Sequence, residues 1–162
     1  MPSDAYSTGL ALLARRELSA AQVAERLRQR GFEPDVTEAA VHRLREERAL
    51  DDRRTATMHA RRAAGILDRG PQRAEQEIVA LGIDRTVAGA AVVEVYTEQD
   101  TRAVLERSLA RRLPEGAPIT DRKHLGRLYR YLVRQGFDPQ MATAALRARM
   151  GNPVSGEDEP AR

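Results

Sequence analysis

Four cations stand at helical spacing near the end of the chain. Lys123, Arg127, Arg130 and Arg134 fall at i, i+4, i+7 and i+11. At about 100° per residue their directions span only some 60°. Leu125, Leu128, Tyr129 and Leu132 fall on the opposite side, so the segment reads as a helix that buries its leucines and presents a narrow cationic stripe. A stripe of this kind can hold an acidic surface or phosphate, for which the guanidinium fork is suited. It also describes an ordinary solvated helix face. Tyr131, at the edge of the stripe, fits helix packing better than stacking on a base.

Other constellations lead away from catalysis. Asp51 and Asp52 are adjacent, and a carboxylate pair can serve a metal or a general base. Here they stand where one helical pattern gives way to the next, so an N-cap followed by a first-turn acid accounts for both. His42, His59 and His124 share no ligand spacing with one another or with carboxylates. No Gly-rich loop ends in Gly-Lys, so there is no phosphate cradle of the P-loop kind. No catalytic, cofactor-binding or metal-binding residue is assigned, and the chain reads as a non-enzyme.

The elements that must carry the stripe follow from composition and repetition. The 162 residues are 41% hydrophobic but only 4% aromatic, so the core is Leu, Val, Ile and Ala packing, as in helices on helices. The absence of cysteine excludes disulfides and thiolate metal sites and fits a reducing cytoplasm. No apolar run approaches the roughly 18 residues that span a bilayer, and no signal peptide is read. The net charge of +3 is unevenly spread: residues 101–150 hold 11 basic residues against 4 acids, a net of +7. That asymmetry points to an acidic partner.

One phrase is written three times. Aligned on Gly31, Gly82 and Gly136, apolar residues recur eight before (Val23, Ala74, Leu128), four before (Leu27, Ile78, Leu132) and directly after (Phe32, Ile83, Phe137). They recur again at five (Val36, Val87, Met141), nine (Ala40, Ala91, Ala145) and ten after (Val41, Val92, Leu146). Each copy predicts a helix, a left-handed glycine that ends it, and a second helix. Asp35, Asp84 and Asp138 suit N-caps of the second, with Pro139 at N1, and Ser19 with Gln22 reads as a capping box. A further helix carrying Ala-Arg-Arg precedes each pair, at Ala14–Arg16, Ala60–Arg62 and Ala110–Arg112. The expected fold is all-α: three tandem three-helix repeats in an elongated, curved, right-to-left stacked array. The repeats are expected at 1–53, 54–97 and 98–150, with a disordered acidic tail at 151–162.

Three such repeats resemble the RecX family, the regulators of the RecA recombinase. In "LDDRRTA", Leu50, Asp51, Asp52, Arg54 and Ala56 match the family's joint between its first two repeats, with Thr55 in place of an aromatic. "RGPQRAEQEIVALGI", from Arg69, resembles the middle repeat's Gly-Pro run, with Ala74 in place of a larger apolar residue. "DRKHLGRLYRYLVRQGF" resembles the third repeat. The likeness covers about residues 7–150. It implies a monomeric, cytoplasmic, non-catalytic modulator, chiefly an inhibitor, that needs no cofactor and acts in DNA repair, recombination and the SOS response. It implies binding along the groove of the RecA–DNA filament, restraint of ATPase and strand exchange, possible direct DNA contact, and no membrane. The stripe Lys123, Arg127, Arg130 and Arg134 is then the candidate contact with RecA filament or DNA. An alternative is a helix-turn-helix DNA-binding protein. Against it, the helix after each glycine is alanine-rich, as in "TEAAVHRL", "VAGAAVVEV" and "MATAALRAR", and looks built for burial.

Overall fold

A computed structural model describes residues 4–119 and 121–150. The tail 151–162, expected to be disordered, lies outside the described residues. Nine helices and no strand are found among those described. They fall into three triplets: α1 (Ala5–Leu13), α2 (Ala20–Arg28) and α3 (Pro34–Glu46); α4 (Asp52–Gly65), α5 (Pro71–Ala80) and α6 (Arg85–Glu98); α7 (Thr101–Ala110), α8 (Arg122–Arg134) and α9 (Pro139–Arg149). The all-α, three-repeat expectation is met.

The three anchor glycines behave alike. Gly31, Gly82 and Gly136 have φ of +87°, +80° and +93°, a conformation in which a Cβ is strained. At Gly31 the amides of Gly31 and Phe32 turn back to the carbonyls of Arg28 and Leu27, and at Gly136 those of Gly136 and Phe137 turn back to Val133 and Leu132. This is the Schellman pair that satisfies a helix's last carbonyls. Of the recurring apolar positions, those at eight and four before and at nine and ten after are buried in every repeat. Directly after and five after, Phe32, Val87 and Met141 are half-buried and Val36 is 45% exposed.

Local details correct the sequence reading in two places. Asp35 is not an N-cap. Glu33 takes that position, Pro34 takes N1, and Asp35 falls in the first turn. Glu33 is the true counterpart of Asp84 and Asp138, each two residues past its glycine, and proline's fixed φ explains why the helix starts there. Second, the Ala-Arg-Arg echo is not one structural position. Ala60 is buried inside α4, whereas Ala14 caps the C-terminus of α1 and Ala110 is the last residue of α7. Counted from the N-caps Asp4, Asp51 and Asp100, the middle copy is one residue out of step. The Asp51–Asp52 pair is as read, an N-cap followed by a first-turn acid: Asp51 accepts from the amides of Arg53 and Arg54, while Asp52 also reaches back to accept from the amide of Ala20 at 2.8 Å.

The second helices of the repeats are arranged head to tail. The Ser19 hydroxyl, at the start of α2, donates to the carbonyl of Leu81 at the end of α5. At the start of α5, the amide of Gly70 donates to the carbonyl of Gln135 at 2.7 Å and that of Gln72 to Gly136 at 3.1 Å, both past the end of α8. Orphan donors of one helix thus meet orphan acceptors of the next, and the helix dipoles align. Gly70 is a glycine because the backbone of Gly136 sits where its Cβ would be.

The unequal glycine spacing has a simple cause. The N-caps of the second helices, Ser19, Gly70 and Asp121, are evenly spaced, but α8 has 13 residues against 9 in α2 and 10 in α5. The third repeat therefore gains about one helical turn, and that helix carries the cationic stripe.

Candidate functional site

The rotation of α8 is fixed by what it buries. Leu128 and Leu132 are 3% and 0% exposed, in a core shared with Phe137, Leu105, Leu109 and Leu146. Leu125, Tyr129 and Tyr131 pack partly against the same core. With that side held, Lys123, Arg127, Arg130 and Arg134 are all exposed, and they share one face as the spacing predicts.

The charge on this face has no paired counterweight among the described residues. None of the four cations forms an ion pair among the described residues. Of the four carboxylates in residues 101–150, Glu115 is exposed and in no ion pair among the described residues, and the other three are committed elsewhere. Glu106 pairs with Arg149 at 2.9 Å. Asp121 caps α8, accepting from the His124 amide at 2.7 Å. That bond outweighs the opposing effect of burial and, with a smaller contribution from the nearby Arg127 charge, holds the Asp121 carboxyl below its ordinary range. Asp138 caps α9 by accepting from the amides of Gln140 and Met141. Arg107 and Arg111, by contrast, are neutralised across the repeat boundary by Asp68, at 2.9 and 2.6 Å.

An open groove of about 440 Å³ runs beside the stripe, lined by Arg112, His124, Arg127, Leu128, Arg130, Tyr131 and Arg134. The structure thus gathers three of the four expected cations around one hollow. Lys123 shares their face but stands outside the lining. Arg112, which the sequence reading did not assign to the site, joins them from the turn after α7. Its guanidinium lies 5.0 Å from the centre of the Tyr131 ring, a cation–π distance. The Tyr131 hydroxyl sits 3.3 Å from the carbonyl and 3.4 Å from the hydroxyl of Ser108, so the ring is tethered to α7 as a packing residue. The available signal for Arg112 was the third Ala-Arg-Arg, whose last arginine directly precedes the buried Leu113. A hollow lined by four arginines, with no carboxylate in its lining, is suited to anions.

The other candidates are placed apart from this groove. Asp51 and Asp52 are both occupied as hydrogen-bond acceptors at the first joint. His42 faces Glu46 on α3, at 3.4 Å. His59, on α4, has its imidazole pKa pushed below the ordinary value by burial and then by the Arg62 charge. Among the described residues no group of three or more His, Asp or Glu side chains is placed to hold a metal ion, and no helix is long and apolar enough to cross a membrane.

Comparison with known proteins gives a consistent picture. A family model described as "RecX, first three-helix domain" matches residues 5–44. The regulatory protein RecX of Geobacillus thermodenitrificans is 30% identical over 158 residues, 96% of this chain and 57% of that protein. The regulatory protein RecX of Syntrophotalea carbinolica is 32% identical over 142 residues, covering 83% of this chain and 89% of that one. Among solved structures, RecX from Lactobacillus salivarius superposes with a TM-score of 0.76 at 19% identity, covering 89% of this chain and 93% of that one.

Proposed function

The chain belongs to the RecX family of regulatory proteins, and from that premise we propose that it regulates the RecA recombinase in the cytoplasm, as a monomer and without catalysing a reaction. It lies along the groove of the RecA–DNA filament and restrains ATP hydrolysis and strand exchange. The contact is the cationic face of α8, Lys123, Arg127, Arg130 and Arg134, extended by Arg112.

One observation carries the reading: among the described residues these cations are unpaired, while three of the four carboxylates in 101–150 are spent on caps and on Arg149. An uncompensated field of this kind speeds encounter with an anionic surface. The head-to-tail second helices add support, since they extend the molecule along one direction, as binding along a filament requires. The helix-turn-helix alternative is the weaker one. The outward side of α6 offers Ala90, Val93, Glu94 and Thr97, which do not form a base-reading set.

The test is a charge reversal, Arg127→Glu with Arg130→Glu. RecA ATPase on single-stranded DNA is measured against titrated protein, with melting of the variant in parallel. Inhibition should fall at least tenfold in potency at an unchanged melting point. Full inhibition by the folded variant rejects the contact. If phosphate is engaged directly, each lost contact lowers the salt slope of binding by about 0.7–0.9.

A further inference from the structure

The two joints of the array are built differently. Between the second and third repeats the apolar interior is continuous, from Ala56 of α4 through Val95, Leu105 and Leu109 to Leu132 and Leu146. Two backbone hydrogen bonds, from Gly70 and Gln72, lock the same boundary. Asp68, only 7% exposed, ties the α4–α5 turn to Arg107 and Arg111 of the next repeat.

Between the first and second repeats the interior breaks. Ala5, Val23, Leu27, Leu44 and Leu50 form a cluster of their own. No helix among α1–α3 packs extensively along any of α4–α9. What crosses this joint is mostly polar. The Ser19 hydroxyl meets Leu81, the Asp52 carboxylate meets the Ala20 amide, and the Glu17 carboxylate meets Arg54 at 2.8 Å. Two open clefts flank it. One, of about 380 Å³, lies between Gln22 and Arg26 of α2 and Leu81–Gly82. The other, of about 320 Å³, lies between Arg16 and Leu18 on one side and His59 and Arg62 on the other.

We infer that the chain is two bodies, residues 5–50 and 52–149, joined by a pivot at Leu50–Asp51–Asp52, so that the curvature of the array is adjustable at the first joint and fixed at the second. The reason lies in what each opening exposes. At the first joint, hydrogen bonds and ion pairs trade protein for water, which the flanking clefts already admit, and such exchanges nearly balance. At the second, opening strips apolar side chains from a shared core and leaves backbone donors unpaired, both of which are costly. Leu50, 2% exposed, anchors the pivot in the first body, and Asp51 caps the first helix of the second.

The chain contains no cysteine, so paired spin labels can be placed without background. Ala39→Cys with Ala90→Cys, on α3 and α6, spans the first joint. Ala90→Cys with Ala148→Cys, on α6 and α9, spans the second. All three alanines are exposed. Pulsed dipolar distance measurements on the free protein should give a distribution for the first pair at least twice as wide as for the second. Adding Arg54→Ala should widen the first distribution and leave the second unchanged. Equal widths, whether narrow or broad, or a wider distribution at the second joint, overturn the proposal.

Discussion

Gly70→Ala tests the head-to-tail stacking of the second helices most sharply. A Cβ added at Gly70 would lie 2.3 Å from the carbonyl carbon of Gly136, 2.4 Å from its oxygen and 2.5 Å from the Phe137 nitrogen. All three are backbone atoms in a turn whose own φ is fixed at +93°. They cannot yield as a flexible side chain would, so the repeats must part by an ångström or more. That displacement breaks the bonds from Gly70 to Gln135 and from Gln72 to Gly136. Losing two backbone hydrogen bonds costs about 1–3 kcal/mol, and overpacking a tight site costs about 1–3 kcal/mol. The expected loss is about 2–4 kcal/mol, with some relief because water reaches the parted turn. Two other glycines are controls. Gly31→Ala meets nothing within 4 Å but has φ +87°, so it should lose only the roughly 1–2 kcal/mol of left-handed strain. Gly89→Ala, in the middle of α6 with nothing within 4 Å, should gain up to about 1 kcal/mol from helix propensity. Urea unfolding followed by far-UV circular dichroism ranks the three. A Gly70→Ala midpoint equal to or above that of Gly31→Ala refutes the close approach of the two turns.

Asp52→Ala should cost about 1 kcal/mol, because it removes the acceptor of the Ala20 amide at the start of α2. Asp51→Ala should cost about as much through α4 instead, and amide exchange should show protection lost at Ala20 in the first case and at Arg53–Arg54 in the second. Asp68→Ala leaves Arg107 and Arg111 facing each other across the second joint. It should cost about 1–3 kcal/mol, below the usual figure for a broken buried pair because both arginines are about half exposed. His59 has a folded-state pKa below its unfolded value, so the unfolded chain binds the proton first as pH falls. Stability should therefore be full above about pH 6.5 and decline as the pH drops through the lowered folded value. Melting temperatures at pH 7.5 and pH 5 should differ less in His59→Gln than in the unaltered chain.

The sequence was informative where one residue type has one physical use. Glycine at a left-handed turn, serine with glutamine three residues on, and proline after an acid each predict an element boundary, and Gly31, Gly82, Gly136, Ser19 and Asp138 all stand at the boundaries expected of them. Helical periodicity placed the four cations of α8 on one exposed face for the same reason: the angle per residue is fixed, and buried leucines set the rotation. What could not be read were contacts between residues far apart in sequence. Asp52 reads as a first-turn acid of the helix it begins, and nothing local shows that its carboxylate also serves Ala20, 32 residues earlier. Arg112 sits in a tripeptide that repeats three times in the sequence but not in the structure. Only the fold brings it over Tyr131 and into the groove.

The longer α8 links the repeats to the proposed function. A repeat array made of identical units would spread its surface charge evenly, and the first two repeats come close to that, with arginines matched by acids. The third repeat departs in two ways at once. It adds about a turn to its second helix, and it commits two of its carboxylates to the caps at Asp121 and Asp138. The added turn lies at the end of α8 that no other second helix covers, since the stacking runs from α8 through α5 to α2. The stripe therefore sits on the terminal member of an aligned series, held in place by a core shared with the second repeat and by the turn-to-turn contact at Gly70. Weakening that contact should then reach the site. A folded Gly70→Ala chain, with every cation of the stripe intact, should bind an anionic filament less well than the unaltered protein, because the face keeps its charge and loses its fixed direction relative to α5. Equal binding by a variant whose stability has dropped as expected would show that the stripe acts as a local patch, and that the alignment of the second helices serves stability alone.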